Sequence, residues 1–147
     1  MSIVFRFAAP ADVDPVVEMM GEFYAGEGYP FDPAASREAV AGLIREPAAG
    51  RLWLIEDAGA PVGYVALTLG YSLEYLGRDA FLDELYVRES HRGRGIGAAA
   101  MDVFESASRE LGVRSVHLEV ERDNPARALY ERRGFTDHDR LLMTKRL

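Results

Sequence analysis

Apolar residues recur along this chain with two different periods, and the changes of period divide it into elements. Ile3-Val4-Phe5-Arg6-Phe7 is a short β-rich run closed by Ala9-Pro10. Asp12 can cap a helix in which Val13, Val16, Val17, Met20 and Phe23 share one face. Gly26, Gly28 and Pro30 break it. Asp32 and Pro33 open a second helix, which buries Val40, Leu43 and Ile44 and stops between Pro47 and Gly50. Leu52 to Ile55 and Val62 to Leu69 read as two strands joined by a tight turn over Asp57 to Pro61, which makes a hairpin. A looser stretch from Tyr71 to Arg78 leads to a strand from Phe81 to Val87. Ile96, Ala99, Ala100, Val103, Phe104, Ala107 and Leu111 then return to helical spacing, ended by Gly112. Val116, Leu118 and Val120 alternate with His117, Glu119 and Glu121, the mark of a half-buried strand. Asn124-Pro125 begins a short helix closed by Gly134, and Thr136 to Leu147 has room for a final strand pair. The predicted order is β-α-α-β-β-β-α-β-α-β-β, a mixed α/β domain with an antiparallel front and a parallel crossover around the long helix.

Composition narrows the partners. No repeat or linker interrupts residues 1–147, so one domain is expected. An apolar fraction of 48% and a charged fraction of 28% belong to an ordinary globular protein. No apolar run approaches the roughly 20 residues of a membrane span, and the first residues lack signal-peptide features, so a cytoplasmic location is expected. Cysteine is absent, which excludes disulfides, thiolate-held zinc and a thiol nucleophile. His91, His117 and His138 show no metal-ligand spacing, and no metal is expected. A net charge of −7 argues against nucleic acid as a partner. It suits a cationic substrate, though plain solubility is the more ordinary reason for such a charge.

Arg92-Gly93-Arg94-Gly95-Ile96-Gly97, between the strand ending at Val87 and the long helix, carries the clearest chemistry. Glycines let backbone approach an anion, a helix start offers N–H donors, and two arginines add charge. A merely tight turn requires neither so many glycines nor the arginines. The segment also fits the dinucleotide pattern G-x-G-x-x-G/A, yet that fingerprint belongs to a first strand–helix unit, and here two helices and three strands come first. The Lys-Ser/Thr ending of a nucleotide-triphosphate loop is missing.

Leu85-Tyr86-Val87 followed by this glycine loop resembles the acyl-CoA motif of the GNAT N-acetyltransferase superfamily, Gln/Arg-x-x-Gly-x-Gly/Ala. The segment from Asn124 to Phe135 is similar to that superfamily's second cofactor motif, with Asn124, Tyr130 and Gly134-Phe135 in the usual relative places. The resemblance implies a GNAT-like splayed sheet with helices on both faces and acetyl-CoA as acyl donor in the opening. It implies that backbone groups of Leu85, Tyr86 and Val87 pair with the pantetheine arm and that amides of Arg92 to Gly97 bind the pyrophosphate. Asn124 would contact the pantetheine and Tyr130 would protonate the departing thiolate. Read from the residues alone, Asn124 is a complete helix cap and Tyr130 an amphipathic packer. A phenol is nevertheless a suitable acid for a thiolate of comparable basicity. The resemblance also suggests a homodimer through the C-terminal strands.

Amine acylation near neutral pH benefits from a proton acceptor, and Asp83 and Glu84 stand just before the cofactor motif. Strict alternation groups Asp83 with Phe81, Leu85 and Val87, and Glu84 with Leu82 and Tyr86, so only one faces the substrate; Glu84 is slightly favoured. Tyr24, Glu27 and Tyr29, beside Phe23, form an aromatic and acidic cluster suited to a cationic amine. Tyr71, Glu74 and Tyr75 repeat that mix. The expected activity is direct acetyl transfer from acetyl-CoA to the primary amine of a small cationic molecule. The alternatives are a peptide or protein amine and a nonenzymatic acyl-CoA-binding module.

Overall fold

The computed structural model describes residues 2–147. Strands β1 (Ile3–Phe7), β2 (Gly50–Asp57), β3 (Ala60–Ser72), β4 (Gly77–Val87) and β5 (Ser115–His117) lie side by side in the order of the sequence. The first four are antiparallel, while β5 joins β4 in parallel after a helical crossover. Helices α1 (Val13–Glu27) and α2 (Pro33–Arg45) cover one face of the sheet. Helix α3 (Ile96–Glu110) and the short α4 (Arg127–Arg132) cover the other.

Each face has its own core, because alternate residues of one strand point opposite ways. Leu52, Leu54, Tyr64, Ala66 and Tyr86 pack against Val16, Met19 and Met20 of α1. Trp53, Ile55, Val65, Leu67 and Leu82 pack against Ala100, Met101 and Phe104 of α3. Burying a side chain such as Phe104 or Leu54, both fully enclosed, contributes about 1.5–3 kcal/mol.

Local signals account for most boundaries. Asp32 caps α2, its Oδ1 accepting from the Ala35 N–H at 3.1 Å with Pro33 in the first turn. Gly28, at φ 73°, ends α1 in the left-handed conformation. The β2–β3 turn has positive φ at both Ala58 and Gly59, the twist that two-residue hairpins favour. Asp12, expected to cap α1, makes no such bond. Its carboxylate instead receives Nη1 and Nη2 of Arg6, at 2.8 and 2.9 Å, and the Ala9 N–H at 2.7 Å. Arg6 also reaches Glu56 through Nε at 2.8 Å, so one guanidinium ties β1, β2 and the turn into α1 together.

Two expectations change at the C-terminal side. The strand expected over Val116 to Val120 forms ladder bonds only at Ser115–His117, since β4 diverges beyond Phe81. The final strand pair expected within Thr136 to Leu147 does not form. That segment is held through side chains instead: Arg140 donates to both oxygens of Glu74, and the Tyr75 hydroxyl meets His138 Nε2 at 3.0 Å. A three-residue β5 lays out too short a row of backbone partners for a further strand.

Candidate active site

Strand β4 ends at Val87, a single 3-10 turn spans Glu89–His91, and the chain then loops through Arg92 to Gly95 into α3. Gly93 and Gly95 adopt φ 75° and 79°, which side-chain-bearing residues rarely take. A Cβ at either position would meet nothing within 4 Å, so the space immediately beside the loop is open. The first N–H groups of α3 have no acceptor one turn back and point out of the helix start. Arg92 closes the loop onto its strand by donating Nε–H to the Val87 carbonyl at 2.9 Å, and its guanidinium lies 5.6 Å from the Tyr86 ring centre. Open space, glycine backbone, a helix start and arginine together fit a diphosphate group.

The other end of β4 explains a gap in the sheet. Only Asp79, Ala80 and Phe81 pair with β5, which leaves the outer edge of Leu82 to Val87 without a ladder. Leu85 and Val87 therefore turn backbone groups toward an extended ligand, the pattern of strand addition, whereas Tyr86, expected to do the same, is directed at β3 like Arg88, whose N–H reaches the Val62 carbonyl. Tyr130, on α4, packs edge-on to Phe135 at 6.2 Å between ring centres, within the core beneath α3. Burial alone raises its phenol above the usual tyrosine range. Asn124 turns its Oδ1 onto the Ala126 N–H at 2.9 Å, capping the entry to α4, while its amide donors make no bond to described residues.

Where β5 leaves β4, a cleft of about 500 Å³ opens toward the end of α1. Phe23, Tyr24 and Tyr29 form an aromatic wall, Phe81 and Leu82 contribute from β4, and Asp83, Glu84 and Glu119 supply carboxylates. A bulge places the two neighbouring acids. Glu84 lies opposite Ala66 and Leu82 opposite Leu67, so Asp83 is an extra residue with no partner across the ladder. Strict alternation fails here: Leu82 and Leu85 both join the α3 core, whereas Glu84 and Tyr86 face α1. Both acids reach the cleft.

Their environments differ. Glu84 accepts hydrogen bonds from two phenols, Tyr24 on one oxygen and Tyr64 on the other, the latter at 2.7 Å. Burial pushes its carboxyl up, the two donors pull it back, and the neighbouring Asp83 charge pushes it up again, with a net rise. The tyrosines respond in the same sense, their phenols held protonated well above the ordinary range by burial and by the Glu84 charge. Asp83 has no hydrogen-bond or ion-pair partner among the described residues. Its side chain opens to solvent at the mouth of the cleft, yet crowding around the carboxyl raises its pKa. Such a group suits proton transfer.

Tyr24 and Tyr29 thus reach the cleft as expected, Tyr29 also touching Glu121 Oε1 at 3.3 Å. Glu27, the last residue of α1, is exposed and does not line it. Glu74 and Tyr75 contact Arg140 and His138 of the C-terminal segment. Tyr64, Glu119 and Arg146 belong to the site without having been singled out in the sequence. His91 and His117 pair with Asp57 and Asp79, at 3.0 and 3.1 Å. No metal-binding group of side chains occurs among the described residues, nor is any described helix long and apolar enough to cross a membrane.

Residues 16–135 match the Acetyltransferase (GNAT) family. The chain belongs to this family. Among curated proteins, this GNAT chain is 35% identical over 75 residues to the uncharacterized N-acetyltransferase YycN of Bacillus subtilis (strain 168), covering 50% of the chain and 47% of YycN. It is 38% identical over 89 residues to the mycothiol acetyltransferase of Beutenbergia cavernae, covering 58% of the chain and 28% of that protein. The matches thus span about half or less of these curated relatives. Among solved structures, an integron cassette protein from the mobile metagenome of Cole Harbour Salt Marsh superposes with a TM-score of 0.87 at 37% identity, over 97% of this chain and 90% of that one. The open five-stranded sheet and its helices are those of GNAT acetyltransferases.

Proposed function

We propose that this protein is an acetyl-CoA-dependent N-acetyltransferase acting on the primary amine of a small molecule seated in the cleft. One observation carries the reading: a single strand, β4, has an open glycine loop after its end and a bulged pair of carboxylates at the start of its unpaired edge. A donor bound along that edge would run from the loop to the acids.

In this reading the backbone of Arg92 to Gly97 holds the pyrophosphate and the edge-facing backbone groups of Leu85 and Val87 hold the pantetheine, with Asn124 donating its side-chain amide. Bound acetyl-CoA supplies an activated acetyl thioester. Asp83 takes the proton from the acceptor ammonium, since only the neutral amine carries a lone pair for attack. Glu84, fixed by Tyr24 and Tyr64, holds a negative charge beside the incoming ammonium. Tyr130 keeps its proton until the thiolate departs and then donates it. Phe23, Tyr24 and Tyr29 offer ring faces to a cation. A cleft of about 500 Å³ is the size of a small-molecule site, which favours a small acceptor over a protein side chain. Dependence on acetyl-CoA supports a cytoplasmic location. Exposed Leu141, Leu142 and Met143 support a homodimer, which sedimentation velocity would detect.

The test is thiol release from acetyl-CoA against a panel of polyamines, amino acids, aminoglycosides and peptides, beside thermal shifts with acetyl-CoA and with NAD. Release with a small amine, and stabilisation by acetyl-CoA alone, is the expected result. Stabilisation by NAD in preference would overturn the reading.

A further inference from the structure

Arg146 is the one cation lining the acceptor cleft, in a space bordered by the carboxylates of Asp83, Glu84 and Glu119. Among the described residues its guanidinium makes no ion pair and no hydrogen bond. Three other arginines of the C-terminal third are committed within the fold: Arg127 pairs with Glu131, Arg133 with Asp102, and Arg140 with Glu74. Arg146 alone of these reaches the cleft with its donors unspent.

A guanidinium carries five N–H donors and no acceptor, and its fork matches a carboxylate through two parallel bonds. No described residue uses that fork. We propose that the acceptor is a zwitterion of the amino-acid type, whose carboxylate pairs with Arg146 while its amine meets Asp83. This deepens the acetyltransferase reading and rests on it. Charge balance selects the anionic group. With one cation among three carboxylates the lining is net negative, so a carboxylate enters favourably only on a molecule that also brings an ammonium for the acids, and a phosphate dianion would leave the larger uncompensated charge. The acids draw the ammonium and the arginine draws the carboxylate, so the cleft fixes which end of the molecule points at the thioester.

Thiol release is measured for ω-amino acids of increasing chain length and for their primary amides, which differ only in lacking the anion. The parent protein is expected to prefer the best acid over its amide by roughly tenfold in kcat/KM, the scale of one charge-assisted bidentate pair. Arg146→Gln should bring that ratio near one, and Arg146→Lys should restore part of it, since an ammonium keeps the charge without the fork. Melting temperatures of both variants should match the parent, because Arg146 is exposed and holds no described residue. A parent ratio at or below one overturns the proposal, as does a ratio unchanged in Arg146→Gln. Efficient acetylation of amines with no gain from a carboxylate would remove Arg146 from recognition and leave the acetyltransferase reading standing. Absence of thiol release with every amine, despite bound acetyl-CoA, would overturn that reading and this proposal together.

Discussion

Leu82 and Glu84 stand two residues apart on β4 yet face opposite sides of the sheet, because Asp83 between them is an extra residue with no partner on β3. Without the bulge, Glu84 would enter the apolar core under α3. With it, Leu82 completes that core and both acids reach the cleft.

The bulge gives the two acids separable roles. Asp83→Asn should lower kcat/KM near neutral pH by about 10²-fold, the scale of lost general-base catalysis. The deficit should shrink as pH approaches the amine's own pKa, where no base is needed. A pH–rate profile parallel to the parent's would transfer the role to Glu84.

Tyr64→Phe deletes a hydrogen bond that favours ionised Glu84. The Glu84 carboxyl should then rise further, because losing a donor to the charged form raises a carboxylate's pKa. The acid limb of kcat/KM is expected to move to higher pH while activity on the alkaline side stays close to the parent's. An unmoved acid limb would assign Tyr64 to packing alone.

Tyr130→Phe removes one oxygen that bonds to no described residue, so the fold and acetyl-CoA affinity should survive. The expected change is a fall in kcat of about 10²-fold with the dissociation constant for acetyl-CoA unchanged. Rapid-quench measurement of the chemical step checks it. Full activity would leave the phenol a packing group.

Gly95→Glu places a carboxylate in the space beside the loop and forces a side chain into φ 79°. Calorimetry should find acetyl-CoA binding abolished, with circular dichroism showing the fold retained. Normal affinity in the folded variant would take the loop out of the site.

Asp12→Ala tests the clamp at the start of the chain. Arg6 holds the Asp12 carboxyl below the ordinary range, so its contribution is present above the unfolded pKa and fades as pH falls through the folded value. The variant should lose about 1.5–3 kcal/mol near neutral pH, the scale of hydrogen bonds to a charged group. Chemical denaturation should show that loss shrinking in acid.

The succession of elements as far as the short α4, and the glycine loop, were legible in the sequence, because periodicity, caps and glycine spacing are local signals. Asp32, Gly28 and the turn at Ala58 and Gly59 act within a few residues of themselves. What was not legible depends on distant partners. Tyr64 joins Glu84 through the pairing of β3 with β4, and periodicity within either strand does not give the register between them. Asp12 looked like a cap because the sequence does not reveal that Arg6 would claim its carboxylate. Arg146 reaches the cleft only through the path of a segment whose apolar residues read as strand.

A strand edge kept open for a ligand is also open to any other extended chain, and exposed edges are where sheets join into aggregates. The Leu82 to Val87 edge, unpaired among the described strands, carries that hazard. Two features limit it: the bulge at Asp83 interrupts the run of regular backbone, and Arg92 already engages the Val87 carbonyl at its far end. On the proposed reading a preparation stripped of acetyl-CoA should precipitate sooner on warming than one kept saturated, because the donor covers the edge.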